Sequence, residues 1–209
     1  MKEFKELVNI VERLRSEDGC PWDRKQRLAN LKSYLLEESY ELLDALDRRN
    51  KEKVKEELGD VFLILVFISQ IFKEKGFFDL KDVLKGINEK LKDRHPHVFS
   101  HKSFRNSREV VDHWYNLKFR HRRTPFAHIP LKLPSLMKAY KIIKEAKRRG
   151  VLKKELPPPA HLRKKFSSFA KNPTQANFAG LLFAMLEVIQ NKFEPEASFL
   201  RYLRKKFGI

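Results

Sequence analysis

Two long helical stretches joined by a very short turn are what most limit the folds open to this chain. From Leu28 to Arg48, the residues Leu31, Leu35, Leu42, Leu43 and Leu46 recur at helical spacing. A second stretch of the same kind runs from Lys53 to Lys75 and is ended by Gly76. Only the polar segment Asp47 to Lys51, centred on Asn50, separates them. A connection that short makes the two helices antiparallel neighbours. The middle of the second stretch, Val61 to Ile68, is apolar nearly all round, which predicts burial on most of its sides.

Helical patterning extends along the rest of the chain. Phe4 to Leu14 carries Phe4, Leu7, Val8, Val11 and Leu14 on one side, and Ser16 to Pro21 breaks it. Asp79 to Arg94 reads as a third bundle helix, capped by Asp79 and stopped by His95-Pro96. Val98 to Asn106 reads as a loop, and Ser107 to Arg120 as a further helix containing Trp114. Pro125, Pro130 and Pro134 mark residues 121–134 as a linker. Helical spacing resumes from Pro134 to Arg149, and three consecutive prolines within Leu156 to Ala160 exclude a helix interior there. His161 to Ile209 has room for about three more helices. With only 7 glycines and no strand-like alternation, the chain is expected to be all-α: an antiparallel helical bundle over 1–120, the linker over 121–134, and a second helical domain over 135–209.

Charge divides the chain along the same line. Residues 1–120 hold 25 Lys/Arg and 22 Asp/Glu, whereas residues 121–209 hold 20 and 5. A half so basic suits polyanions or an acidic partner surface. The single cysteine, Cys20, excludes an intramolecular disulfide, and no apolar run reaches the length of a membrane span. The expectation is a cytoplasmic protein with no membrane partner.

The chemistry gathers in two short segments, Leu36-Glu37-Glu38-Ser39-Tyr40-Glu41 and Glu56-Glu57-Leu58-Gly59-Asp60. Residues three or four apart share a helix face, so Glu38 pairs with Glu41, with Glu37 at their edge, and Glu57 pairs with Asp60. The turn at Asn50 lies nearly midway between Glu41 and Asp60, so folding the hairpin brings both acidic pairs to one level. Carboxylates packed together beside apolar sequence repel and are partly desolvated, a costly arrangement without cations. Oxygen ligands with no His or Cys suit Mg²⁺ or Mn²⁺. The same spacing also suits a solvated face crossed by i,i+4 salt bridges. Gly59 weighs against that, since a mid-helix glycine costs about 1 kcal/mol and suggests something approaching the backbone.

Taken with Gly19-Cys20-Pro21-Trp22-Asp23 and Lys90-Leu91-Lys92-Asp93-Arg94-His95-Pro96-His97-Val98-Phe99, these segments make the chain resemble the MazG family of all-α nucleotide pyrophosphohydrolases over roughly residues 5–120. The resemblance implies Mg²⁺-dependent cleavage of (deoxy)nucleoside triphosphates to the monophosphate and pyrophosphate, serving nucleotide-pool housekeeping. It implies Glu38, Glu41, Glu57 and Asp60 as metal ligands, and Glu37 as a further ligand or the base that orients water. Lys90 and Arg94 match positions that contact phosphate. Trp22 has two readings, a stacking surface for a nucleobase and a buried packing residue, of which packing is the expected one. His95 and His97, separated by a proline, make poor chelators and read as a structural turn. A helical bundle of this size is often completed by a second chain, so a homodimer is expected.

The second half departs from the pattern. Leu181-Leu182-Phe183-Ala184 matches Val61 to Ile64, yet Gln175-Ala176-Asn177-Phe178-Ala179-Gly180 precedes it, without the acids. Leu162-Arg163-Lys164-Lys165-Phe166-Ser167 stands where Glu-Glu-x-x-Glu would fall. This half reads as a degenerate repeat without metal ligands. The alternative function is then a non-catalytic regulatory or nucleic-acid-binding protein acting through its basic half, against which no aromatic platform is visible in the sequence.

Overall fold

A computed structural model describes residues 2–119, 126–153, 157–189 and 192–208. Every regular element among the described residues is a helix. The chain divides into two compact units, Met1–Tyr115 and Asn116–Ile209.

In the first unit, α1 (Lys2–Leu14) precedes the short α2 (Pro21–Lys25), and the hairpin of α3 (Leu28–Asp47) and α4 (Lys51–Glu74) forms the centre. Asn50 starts α4 by accepting a hydrogen bond from the Lys53 N–H at 3.2 Å. Arg49, just before it, turns the chain in the left-handed region at φ 53°. α5 (Leu80–Arg94) packs on α4 and opens with a reciprocal cap between Asp79 and Asp82. The short α6 (Pro96–Phe99) follows, then α7 (Ser107–Phe119), which belongs to this unit as far as Tyr115. Val11, Leu31, Ile64, Val66, Phe67 and Ile71 form the buried core, so α4 is the element on which α1 and α3 both close.

The segment Val61 to Ile68 is less buried than its composition predicts. Ile64, Val66 and Phe67 are inside, but Phe62 and Leu65 are 50% and 44% exposed. One side of α4 is covered by α1 and α3 and the other is not, so apolar residues run round a helix whose burial is one-sided. Sequence reading also missed α2 and α6, each too short to show periodicity and each begun by a proline at its first turn.

The Gly19-Cys20-Pro21-Trp22 segment has a backbone explanation. A Cβ on Gly19 would collide with the carbonyl oxygens of Arg13 and Leu14 at the end of α1. The Cys20 N–H donates to the Leu14 carbonyl at 2.8 Å, and Pro21 then starts α2. Arg15 locks this corner to α4. Its guanidinium donates to both Glu74 oxygens, at 2.7 and 2.6 Å, and to the Asp23 carbonyl at 2.7 Å. Those hydrogen bonds hold the Glu74 carboxyl below its ordinary range, against a smaller opposing effect of burial.

The second unit contains α8 (Ser135–Arg148), α9 (Pro159–Lys171), α10 (Gln175–Val188) and α11 (Pro195–Phe207). α9 and α10 form a hairpin, while α10 and α11 each pack on α8. Ile129, Ile143, Ala146, Ala184 and Leu186 are buried. Of the segment expected as a linker, 121–125 lies outside the described residues, and 126–134 is made of turns that enclose Ile129.

Candidate active site on the central hairpin

The α3–α4 hairpin brings Glu38, Glu41 and Glu57 together. One carboxylate oxygen from each lies within 4.8 Å of the other two. They differ in exposure: Glu41 is on the surface, Glu38 is half-buried, and Glu57 is 1% exposed. Burial above all, and then the charges of Asp60, Glu41, Glu57 and Glu37 in that order, push the Glu38 carboxyl above its ordinary range. Asp60 is thus the strongest charged influence on Glu38, although it lies outside the close group of three. Glu37 is exposed and its influence is the weakest.

Sequence reading missed Lys53. Its Nζ lies 2.7 Å from Glu57 Oε1 and 3.1 Å from Glu56 Oε1. The contact with Glu57, followed by that with Glu56, raises the Lys53 ammonium above its ordinary range. The i,i+4 spacing from Lys53 to Glu57 was the available signal. Lys53 is therefore a resident counter-charge for the buried carboxylate of the group. A set of three converging carboxylates, one of them buried, fits a hard divalent cation such as Mg²⁺ or Mn²⁺. Gly59 has no steric reason visible within the chain: a Cβ there would meet nothing within 4 Å. The expected close approach to its backbone is not made by any neighbour in the fold.

The other sequence-identified residues are on different elements. Lys90 and Arg94 lie on α5, where Lys90 is exposed and the Arg94 guanidinium sits 5.1 Å from the Trp114 ring centroid. Trp22 is 60% exposed, so its expected burial is corrected. On the five-residue α2 it is Asp23 that turns inward instead, leaving Trp22 on the outer side. His95 Nδ1 is 2.8 Å from the Leu91 carbonyl and His97 packs edge-on against Phe104. A separate groove of about 800 Å³ between α1, α4 and α5 is lined by Phe4, Val8, Val66, Leu80 and Leu84. On α4 it comes no nearer than Val66, about 14 Å along the helix from Glu57, and is not the acidic site.

Residues 26–99, which hold the hairpin and its acids, match the MazG nucleotide pyrophosphohydrolase domain. A protein of Thermotoga maritima named nucleoside triphosphate pyrophosphohydrolase/pyrophosphatase MazG is 37% identical over 211 aligned positions, covering 97% of this chain and 82% of that protein. This chain belongs to the MazG family. A nucleoside triphosphate pyrophosphohydrolase of Escherichia coli K12 is 42% identical over 156 residues, covering 72% of this chain. The match spans only 59% of the length of that E. coli protein. A relative of the same name in Mycobacterium tuberculosis is 30% identical over 161 residues, spanning 46% of its length.

The second hairpin of this MazG-family chain has a different interior. Lys165 of α9 reaches over Gly180 of α10, its Nζ 3.6 Å from where a Cβ on the glycine would stand. Asn177 donates to the Asn172 carbonyl at 2.8 Å, tying down the turn. An ammonium group thus occupies the space between helices that carboxylates share in the first hairpin. Among the described residues, Glu38, Glu41 and Glu57 make the one group of three or more potential metal ligands. No helix among the described residues is long and apolar enough to cross a membrane.

Proposed function

We propose that the first unit hydrolyses (deoxy)nucleoside triphosphates to the monophosphate and pyrophosphate, with Glu38, Glu41, Glu57 and Asp60 holding Mg²⁺. The observation that carries this reading is the convergence of three carboxylates within 4.8 Å, one of them the buried Glu57, in a domain whose relatives are named for that reaction. A divalent cation bound there supplies Lewis acidity and offsets the charge of the phosphates. Water adds its oxygen to the α-phosphorus, the bond to the α–β bridging oxygen breaks, and the electron pair leaves on pyrophosphate. In this reading Glu37, at the solvent edge of the group, accepts the proton lost by water. Lys90 and Arg94 meet the phosphate chain, and exposed Trp22 offers a face for the base.

A homodimer belongs to the same proposal. Leu36, Tyr40 and Leu43 on α3, and Leu58, Phe62 and Leu65 on α4, are all more than 40% exposed and recur at i, i+4, i+7. Two apolar stripes on one hairpin suit a second copy of that hairpin. A nucleotide substrate and a single cysteine fit a cytoplasmic setting.

The test is to incubate the purified chain with each nucleoside triphosphate and Mg²⁺ and to separate pyrophosphate from orthophosphate. Monophosphate and pyrophosphate, abolished by chelation and by Glu41→Gln, are expected. Release of orthophosphate alone, or turnover untouched by Glu41→Gln, would overturn the assignment.

A further inference from the structure

The second unit holds 22 Lys/Arg against 5 Asp/Glu, and all of those acids but Glu155 lie among the described residues. Glu145 is 3% exposed and is clamped by Arg148 and Arg149. Glu187 is mostly buried and lies 3.9 Å from the likewise buried Lys147. Glu194 caps α11 by accepting the Ala197 N–H, and Glu196 has a buried carboxylate oxygen. No acidic side chain is exposed among the described residues of this unit. Lys141 and Lys144 on α8, Arg163 and Lys164 on α9, and Lys205 and Lys206 on α11 are all exposed. Among the described residues the acids are buried or half-buried, and exposed cations stand on every helix of this unit but α10.

Aromatic faces lie among these charges. Phe199, Tyr202 and Phe207 on α11 are 50%, 56% and 65% exposed. Phe199, Tyr202 and Lys206 follow at spacings of three and four, so they share one face. The Lys206 ammonium stands 5.9 Å from the Tyr202 ring centroid. Phe166, next in sequence after Arg163, Lys164 and Lys165, is 61% exposed on α9. The aromatic platform that sequence reading did not find is therefore present, since exposure and not residue type is what distinguishes these rings from core.

We infer that the second unit binds single-stranded nucleic acid, with bases stacking on Phe199 and Tyr202 of α11 and phosphates meeting Lys205 and Lys206. Flat rings alternating with cations along a helix are what a splayed strand needs, because every base has a face to stack and every linkage has a charge. The stripe from Phe199 to Phe207 spans about 12 Å, the reach of two or three nucleotides. Exposed cations on α8 and α9 as well as α11 suit a flexible polyanion that wraps, whereas a lipid surface is planar and engages one face. This inference does not depend on the triphosphate chemistry of the first unit.

The experiment uses the full chain in EDTA, with fluorescein-labelled oligo-dT and oligo-U 20-mers lacking a 5′-triphosphate, followed by anisotropy. Binding to one or both is expected, with affinity falling linearly in log–log plots against salt and weaker binding to a duplex. Tyr202→Ala should weaken binding about tenfold. The pair Lys205→Glu and Lys206→Glu should weaken it more and flatten the salt dependence, while circular dichroism stays unchanged. Glu41→Gln should bind as the parent does, which separates this result from failure of the active-site reading. Absence of binding at 50 mM salt overturns the inference, as does binding indifferent to both sets of substitutions. Preference for phosphatidylserine vesicles over both oligonucleotides, or loss of self-association in Tyr202→Ala without any nucleic-acid binding, would also overturn it and assign the stripe to lipid or to a second copy.

Discussion

Neutralising Glu38 should stabilise the metal-free protein while abolishing turnover. Two carboxylates within 4.8 Å of each other repel by at least about 3.5 kcal/mol at an effective dielectric constant of about 20. Lys53 offsets part of this at Glu57, and solvent screens the exposed Glu41. A net gain of about 1–2 kcal/mol is left for Glu38→Gln in EDTA, which for a chain of this length raises Tm by about 2–6 °C. Both tryptophans of the chain, Trp22 and Trp114, lie in the first unit, so their fluorescence follows its unfolding alone. Saturating Mg²⁺ should raise the melting temperature of the parent and have much less effect on Glu38→Gln. The pH dependence has a definite sign. Because the folded state holds the Glu38 proton more tightly than the unfolded chain does, its contribution is fully present below the unfolded value and is lost as pH rises through the raised folded value. Metal-free stability should therefore increase on mild acidification. A variant that melts below the parent in EDTA, or responds to Mg²⁺ as strongly as the parent, would refute the reasoning.

Other consequences are as direct. Glu145→Gln breaks a buried double ion pair and should cost about 3 kcal/mol of second-unit stability, measured by chemical denaturation. Burial opposes ionisation of Glu145, but hydrogen bonds from Arg148 and Arg149 outweigh it and set its pKa at about 2. The stabilisation is therefore complete above the unfolded value, near 4.5, and is lost as pH falls through 2, visible as an acid transition that moves upward in Glu145→Gln. Gly19→Ala forces a Cβ against two backbone carbonyls and should destabilise the first unit by about 1–3 kcal/mol, read from tryptophan fluorescence. Phe62→Glu should shift the sedimentation coefficient from dimer to monomer if the α3 and α4 stripes meet a second copy; an unchanged dimer would place the contact elsewhere.

The hairpin was legible because its signals are local. Helical spacing of leucines, a short polar turn at Asn50 and acids at i,i+3 indicated which residues could meet before any tertiary contact was known. The overestimate of burial at Phe62 and Leu65 has a different origin. Apolar composition reports that a surface wants cover, not whether the same chain supplies it. Arg15 was not legible, since its partner Glu74 is 59 residues away and nothing in the spacing pairs them. Lys53 was within reach of the i,i+4 rule but was overshadowed by the acids it serves. In the second unit the acids are few enough that their positions matter more than their number, and position is what sequence alone withholds.

In the proposed metal site, Lys53 also bears on how an ion would enter. A free Mg²⁺ arriving at Glu57 has to displace or share an ammonium already 2.7 Å away, so entry is an exchange of one cation for another. An ion that arrives with a triphosphate brings anionic oxygens able to receive the displaced ammonium. On the proposed chemistry, ion and nucleotide therefore help each other to bind, and by linkage the help is equal in both directions. On that proposal, the tethered lysine disfavours bare metal at Glu57 and favours the metal–nucleotide pair.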